Sequence, residues 1–164
     1  MAATPDLTTL LPTGEIMARL GAATLVGAII GLDREMRRKA AGLRTQALVA
    51  LGCSTATLVI SELAGIGDGY DVSAISRVIQ GVLTGIGFLG GGAILRGSND
   101  NQVQGLTTAA SIWISATLGL ACGVGLWRLA LVVMVLALAV LHGGIWIEQW
   151  ARRFQDPPPS SPPR

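Results

Sequence analysis

Charge is scarce in this sequence. Asp, Glu, Lys and Arg make up 13% of 164 residues, where a soluble surface carries about 25–35%. That excludes an ordinary water-coated domain, and no basic surface with interleaved aromatics is left to bind nucleic acid. Histidine occurs once and cysteine twice, so neither a His/Cys metal cluster nor a disulfide framework can be built. A hydrolase needs a nucleophile activated by a base, and the single histidine has no evident partner. Neither enzymatic activity nor a cofactor is expected. Residues 1–15 contain Asp6 and Glu15 but no Lys or Arg. With no cationic segment ahead of the first apolar stretch, no cleaved signal peptide is expected.

The hydrophobic residues are abundant. They amount to 51%, with 22 glycines besides, against about 45–50% for both together in soluble domains. They fall into five stretches, 17–32, 43–63, 78–95, 106–123 and 126–147. Each is about long enough to cross a hydrocarbon core of ~30 Å at ~1.5 Å per residue. The first is short and can begin nearer Leu10, with Glu15 and Arg19 at the interface. The expected fold is therefore an all-α membrane protein, a bundle of about five transmembrane helices. Residues 1–16 form an N-terminal segment outside the membrane, 17–150 the membrane domain, and 151–164 a disordered Pro-rich tail in the cytoplasm.

The distribution of cations orients the bundle. Of 12 Lys and Arg residues, Arg34, Arg37, Arg38, Lys39, Arg44, Arg96, Arg152, Arg153 and Arg164 fall on one side, and Arg19, Arg77 and Arg128 on the other. Short Lys/Arg-rich loops stay cytoplasmic. The N-terminus is thus expected outside and the C-terminus inside. Trp127 falls at the outer boundary and Trp146 and Trp150 at the inner one, where indole rings favour the headgroup level. Cys53 and Cys122 lie within apolar stretches and read as small packing residues.

Lipid gives helices no hydrophobic reason to associate, so close contact at small residues takes over. Stripes of such residues run through the chain. Gly21, Thr24, Ala28 and Gly31 mark the first stretch. Gln80, Thr84, Gly87 and Gly91, beside Gly81 and Gly85, mark the third. Thr108, Ser111, Ser115, Gly119 and Cys122 mark the fourth. A bundle interior lined by the first, third and fourth helices is expected, with the fifth facing lipid. Gly90-Gly91-Gly92 invites two readings, very close packing or a broken helix lining a cavity. The letters GxGxxG at Gly85–Gly90 lie inside a membrane helix rather than after a strand, so they do not make a phosphate loop.

Ionisable residues near the membrane are default functional candidates. Arg77 begins the third stretch as an interfacial anchor or as a partner for Glu62. Gln80, one turn deeper, suits interhelical hydrogen bonding. His142 lies in the inner half of the fifth stretch. In the loop 33–44, Asp33/Arg37 and Glu35/Lys39 are spaced to pair on a short helix. Asp68 and Asp71 sit in a Gly-rich outer turn and read as solvated.

Three segments carry a family resemblance. Gly31-Leu32-Asp33-Arg34-Glu35 with Ala41-Gly42-Leu43-Arg44-Thr45 and Leu48-Val49 is the first. Arg77-Val78-Ile79-Gln80-Gly81 with Gly85-Ile86-Gly87-Phe88-Leu89-Gly90 is the second. Gly105-Leu106-Thr107-Thr108-Ala109-Ala110 with Ile112-Trp113 is the third. In this order and spacing they resemble the MgtC/SapB family of bacterial inner-membrane proteins over about residues 17–140. The resemblance implies a membrane domain of about five spans. It also implies a link to magnesium limitation, acid resistance or intracellular survival, and regulation of membrane machinery through protein contacts. Many members have His where this chain has Gln46, and Asp where it has Ala74. The virulence-type members carry a soluble C-terminal domain. Here the sequence ends about ten residues after Arg153, so the resemblance points to the short, SapB-like members.

Two functions are weighed. One is a non-enzymatic regulator whose partners are the lipid bilayer and a membrane protein or further copies of itself. Its inner-loop candidates are Asp33, Arg34, Glu35, Gly42, Leu43, Arg44 and Thr45. Its helix-packing or pore-lining candidates are Arg77, Gln80, Gly81, Gly85, Gly87, Gly90, Gly91, Gly105, Thr107 and Thr108. The other is a Mg²⁺ or proton transporter acting as a homo-oligomer. Mg²⁺ favours carboxylates, yet Asp33, Glu35, Glu62 and Glu148 all fall near the membrane edges. Only a ring of subunits would bring them together, and Mg²⁺ binding stays open.

Overall fold

A computed structural model describes residues 11–64, 72–95 and 104–152, without the side chains of Ala64, Leu95 and 144–152. The described residues form five helices and no strand: α1 (Thr13–Met36), α2 (Leu43–Ala64), α3 (Val72–Leu95), α4 (Leu106–Gly123) and α5 (Trp127–Arg152). Four of them, α1 to α4, are long and apolar enough to cross a membrane, and α5 has a shorter apolar segment, Trp127–Gly143. The outer-turn acids Asp68 and Asp71, the loop 96–103 and the tail 153–164 lie outside the described residues, as do the side chains of Trp146 and Trp150.

Helix ends depart from the apolar limits where polar residues remain helical. α3 starts six residues before Val78 because 72–77 contain neither Gly nor Pro to stop it. α1 starts after Pro12, whose carbonyl accepts from the amides of Glu15 and Ile16 (2.9 and 3.1 Å). Proline has no N–H to leave unsatisfied there. The Leu11 amide donates to both Glu62 carboxylate oxygens (3.3 and 3.2 Å), tying the start of α1 to the end of α2. Glu62 is therefore engaged by backbone and not by Arg77.

At the same end Arg19 acts as a clasp. Its Nε donates to Glu15 (2.8 Å) and its Nη1 to the Gly123 carbonyl (3.0 Å) at the close of α4. Gly125, with φ +79°, turns the chain into α5.

Packing corrects the expected interior. α4 is the central helix: it touches all four others, and 61% of its apolar window is buried. α2, not α3, completes the inner group, packing extensively on both α1 and α4. α3 is peripheral, with 6% of its window buried. α5 contacts α4 and, sparsely, α1, and its Leu131, Val132, Val135, Leu136 and Val140 are exposed. The α2–α4 contact closes at Gly119, where any Cβ would collide with the backbone of Ala50. Around it lie Ile30, Leu118 and Cys122 on one side and Cys53, Ile112 and Ala116 on the other. Both cysteines are free and buried.

The triple glycine breaks no helix, since α3 is continuous to Leu95. Among the described residues, only Gly90 of the three approaches a neighbour, Ala109. Around Gly91 and Gly92, as around Gly81, Gly85 and Gly87, there is open space.

Candidate functional site

At the end of the bundle where α1 meets α2, the last inward-facing turn of α1 is polar. Ile30 is fully buried, and three and four residues later come Asp33 and Arg34, 5% and 3% exposed. Helical spacing keeps these residues on the core side, so two charged groups are carried into the packing. α2 and α4 meet them with Gln46, Thr108 and Ser111, all buried.

Hydrogen bonds join this layer across three helices. Arg34 Nη2 donates to Thr108 Oγ1 (2.8 Å). Gln46 Nε2 donates to Ser111 Oγ (2.9 Å) and to the Ala41 carbonyl (3.2 Å). Ser111 Oγ donates to the Thr108 carbonyl (2.8 Å). Asp33 faces the other way. Its Oδ1 accepts from Arg37 Nε (2.9 Å) and lies 3.4 Å from His142 Nε2 of α5. His142 Nδ1 stands 2.9 Å from the Leu138 carbonyl. Both ring nitrogens thus face oxygen acceptors, and a neutral imidazole with one N–H can serve only one of them.

The layer is incompletely satisfied. Asp33 Oδ2, Arg34 Nε and Gln46 Oε1 are buried without a hydrogen-bond partner among the described residues. Arg34 belongs to no ion pair among them. A buried cation without a paired anion is costly, so this guanidinium is the group most in need of an outside explanation.

The connection from α1 to α2 wraps the layer. Arg38 and Ala41 have φ of +53° and +57°, a left-handed conformation that non-glycine residues adopt only when their surroundings hold them there. Glu35 is exposed but engaged: its Oε2 accepts from the Leu43 amide (3.0 Å) and starts α2. This pairing replaces the expected Glu35/Lys39 bridge, whereas the expected Asp33/Arg37 pair forms. Gly42 packs against Glu35, and Leu43, Arg44 and Thr45 are exposed.

The structure brings only some of the sequence candidates together. Asp33, Arg34 and Thr108 share the buried layer, and Gly105, with φ +91°, presses on the Ala93 carbonyl to bring the start of α4 onto the end of α3. Thr107 is exposed. Arg77, Gln80, Gly81, Gly85, Gly87 and Gly91 are exposed along α3 and touch none of this layer. Among the described residues, Gln80 Nε2 donates only to Ser76 of its own helix (3.4 Å). Sequence reasoning missed Gln46 as a buried link and the contact of His142 with Asp33. Ser111 was legible only as a small residue in a stripe. Among the described residues no group of three or more His, Cys, Asp or Glu could hold a metal ion.

Comparison with known proteins places these features in context. The MgtC family model matches residues 20–150. Protein SrpB of Synechococcus elongatus is 43% identical over 142 residues, covering 81% of this chain and 78% of that protein. Protein MgtC of Brucella abortus is 42% identical over 129 residues, covering 79% of this chain and 51% of its own length. Protein MgtC of Salmonella typhi is 39% identical over 140 residues, covering 85% and 55%. The chain thus spans about half the length of the MgtC proteins it matches. No solved structure matches it.

Proposed function

The chain belongs to the MgtC family of multi-pass membrane proteins, and from that premise we propose that it is a non-enzymatic regulator that works by helix contact with other membrane proteins. In this reading it resides in the bacterial inner membrane, with the Asp33–Arg44 end in the cytoplasm, and acts under magnesium limitation or acid stress. One observation carries the proposal. α3 leaves Ser76, Arg77, Gln80, Thr84 and a run of glycines exposed on a helix of membrane-spanning length. Lipid tails offer polar side chains no hydrogen bonds, whereas a partner helix does, and small residues let its backbone approach. The face suits either a membrane protein or a second copy of this chain. Exposed Arg44 beside it in function, without a partner among the described residues, is free to contact cytoplasmic portions of the same target.

Cysteine crosslinking in native membranes tests this. Gly81→Cys and Gly85→Cys are expected to form a discrete adduct, and Leu131→Cys on α5 is not. Crosslinking with no preference for α3 would sink the reading. In proteoliposomes with a trapped magnesium indicator, no flux above protein-free vesicles is expected. Flux that depends on the protein and is lost in Arg44→Ala would establish the transporter instead.

Arg44→Ala supplies a separate prediction. With its side chain exposed, the variant should insert and fold as the parent does, with stability within about 0.5 kcal/mol. Complementation of a deletion strain should nevertheless be lost. Full complementation would reduce the loop to a topological anchor.

A further inference from the structure

Arg34, which makes no ion pair among the described residues, stands behind the wall of a cleft. Arg34 Nη2 donates to Thr108 Oγ1 at 2.8 Å, and Thr108 lines a cavity of about 640 Å³ between the α1–α2 connection, the end of α3 and the start of α4. Because the Thr108 oxygen accepts from a guanidinium, its own proton is free to be donated elsewhere. The described residues show no hydrogen bond that uses it. Thr45 provides a second hydroxyl on the cleft wall, and Phe88, Leu89, Gly92 and Ile112 make the rest apolar.

Three properties define what fits. The charge behind Thr108 is positive, and the adjacent carboxylate, Asp33, pairs with Arg37 and not with it, so the ligand should be an anion that accepts from a hydroxyl. The volume falls within the roughly 300–1,000 Å³ of small-molecule sites, more than a bare anion fills. The apolar side runs along α3, where Phe88 is 84% and Leu89 48% exposed on a helix long enough to span a membrane. Thr45 also borders a neighbouring cavity whose wall carries Lys39 and Arg44, with Glu35 the acid there, already engaged by the Leu43 amide. The approach is thus cationic. Basic residues at a membrane surface attract acidic lipid headgroups.

We propose that this cleft binds an anionic phospholipid, its headgroup oxygen accepting from Thr108 under the charge of Arg34 and its acyl chain lying along Phe88, Leu89 and Ile112. A bound headgroup would add a counter-charge on the Thr108 side of Arg34, where Asp33 makes no ion pair with it. The site would couple the polar layer to the lipid composition of one leaflet. This holds whether or not α3 contacts a protein partner.

The test is thermal unfolding of the purified full chain in mild detergent, followed by tryptophan fluorescence. Phosphatidylglycerol and phosphatidylcholine with identical acyl chains are titrated, with inorganic phosphate as a third probe. Phosphatidylglycerol is expected to raise Tm saturably by roughly 5 °C, with a much smaller effect of phosphatidylcholine. Equal shifts from both lipids would overturn the proposal. Inorganic phosphate giving the full shift would overturn the lipid assignment in favour of a free anion. Thr108→Val should weaken the response, but it also removes the partner of Arg34 and can unfold the chain. Gly92→Leu avoids that difficulty, since Gly92 borders the cleft and a Cβ there meets nothing within 4 Å. This variant should keep the lipid-free Tm and lose the phosphatidylglycerol shift. A shift that survives Gly92→Leu would place the lipid elsewhere and refute the site.

Discussion

Gly119→Leu is expected to leave little or no folded protein. Residue 119 lies on the buried face of α4, and a Cβ there would collide with the carbonyl oxygen, carbonyl carbon and α-carbon of Ala50 in α2. Those are backbone atoms of a helix and cannot swing aside as a side chain would. Relief requires α2 to move away from α4, opening the contact around Ala116, Cys53 and Ile112. Overpacking of this kind costs about 1–3 kcal/mol where side chains can yield, and at a backbone contact the upper end or more is expected. The measurement is the yield of monodisperse protein in detergent together with its Tm.

Gly81→Leu is the matched control. Both glycines lie within helices, but a Cβ at Gly81 meets nothing within 4 Å. Leucine is also the better helix former by up to about 1 kcal/mol. The single chain should therefore fold as well or better with leucine at 81. If it folds and loses function, the α3 face is an interface. If Gly119→Leu folds normally, the central position of α4 is wrong.

Asp33→Ala should produce the second large effect. Asp33 is 5% exposed and is the carboxylate nearest in sequence to the buried Arg34, while its Oδ1 holds Arg37 and lies beside His142. Removing it leaves cations facing one another in a region of low dielectric. Breaking a fully buried ion pair from one side costs about 3–5 kcal/mol; the Arg37 side chain is 29% exposed and partly solvated, so the lower end is expected. Arg37→Ala should also destabilise, because it leaves the Asp33 carboxylate, whose side chain is 6% exposed, without its ion-pair partner on α1. The double variant Asp33→Ala, Arg34→Met decides the cause. Recovery of most of the lost Tm shows that Asp33 acts by compensating Arg34. A simple sum of the two losses shows that it acts through Arg37 and His142 instead.

Much of this architecture can be read from the chain alone. Five apolar stretches mark five helices, because a segment that crosses lipid must satisfy its backbone internally and bury its whole length in hydrocarbon. The limits shift only where polar residues such as Ser73 and Ser76 extend a helix beyond its apolar part. The three motif segments also suffice for the family. Two of them, around Asp33–Arg34 and around Thr108, converge on the buried layer, while Arg77, Gln80, Gly81, Gly85 and Gly87 of the other remain exposed on α3 and only its Ile86 and Gly90 are buried.

The bundle interior is another matter. Small-residue stripes occur on the first, third and fourth helices alike, and only the structure shows that Gly119 meets a neighbour while Gly81, Gly85 and Gly87 do not. In water the hydrophobic pattern distinguishes inside from outside. In a bilayer both lipid and protein interior are apolar, so the pattern carries no such information. Arg34 and Thr108 are 74 residues apart and joined at 2.8 Å; Asp33 approaches His142 from another helix. Such meetings depend on how the helices rotate about their axes and cross, and helix spacing alone leaves both undetermined. The number of helices, their approximate limits and the family are thus properties of the sequence. The choice of α4 as the centre, the exposure of α3 and the assembly of the polar layer belong to the tertiary structure, because they depend on backbone approaches that no one-dimensional period encodes.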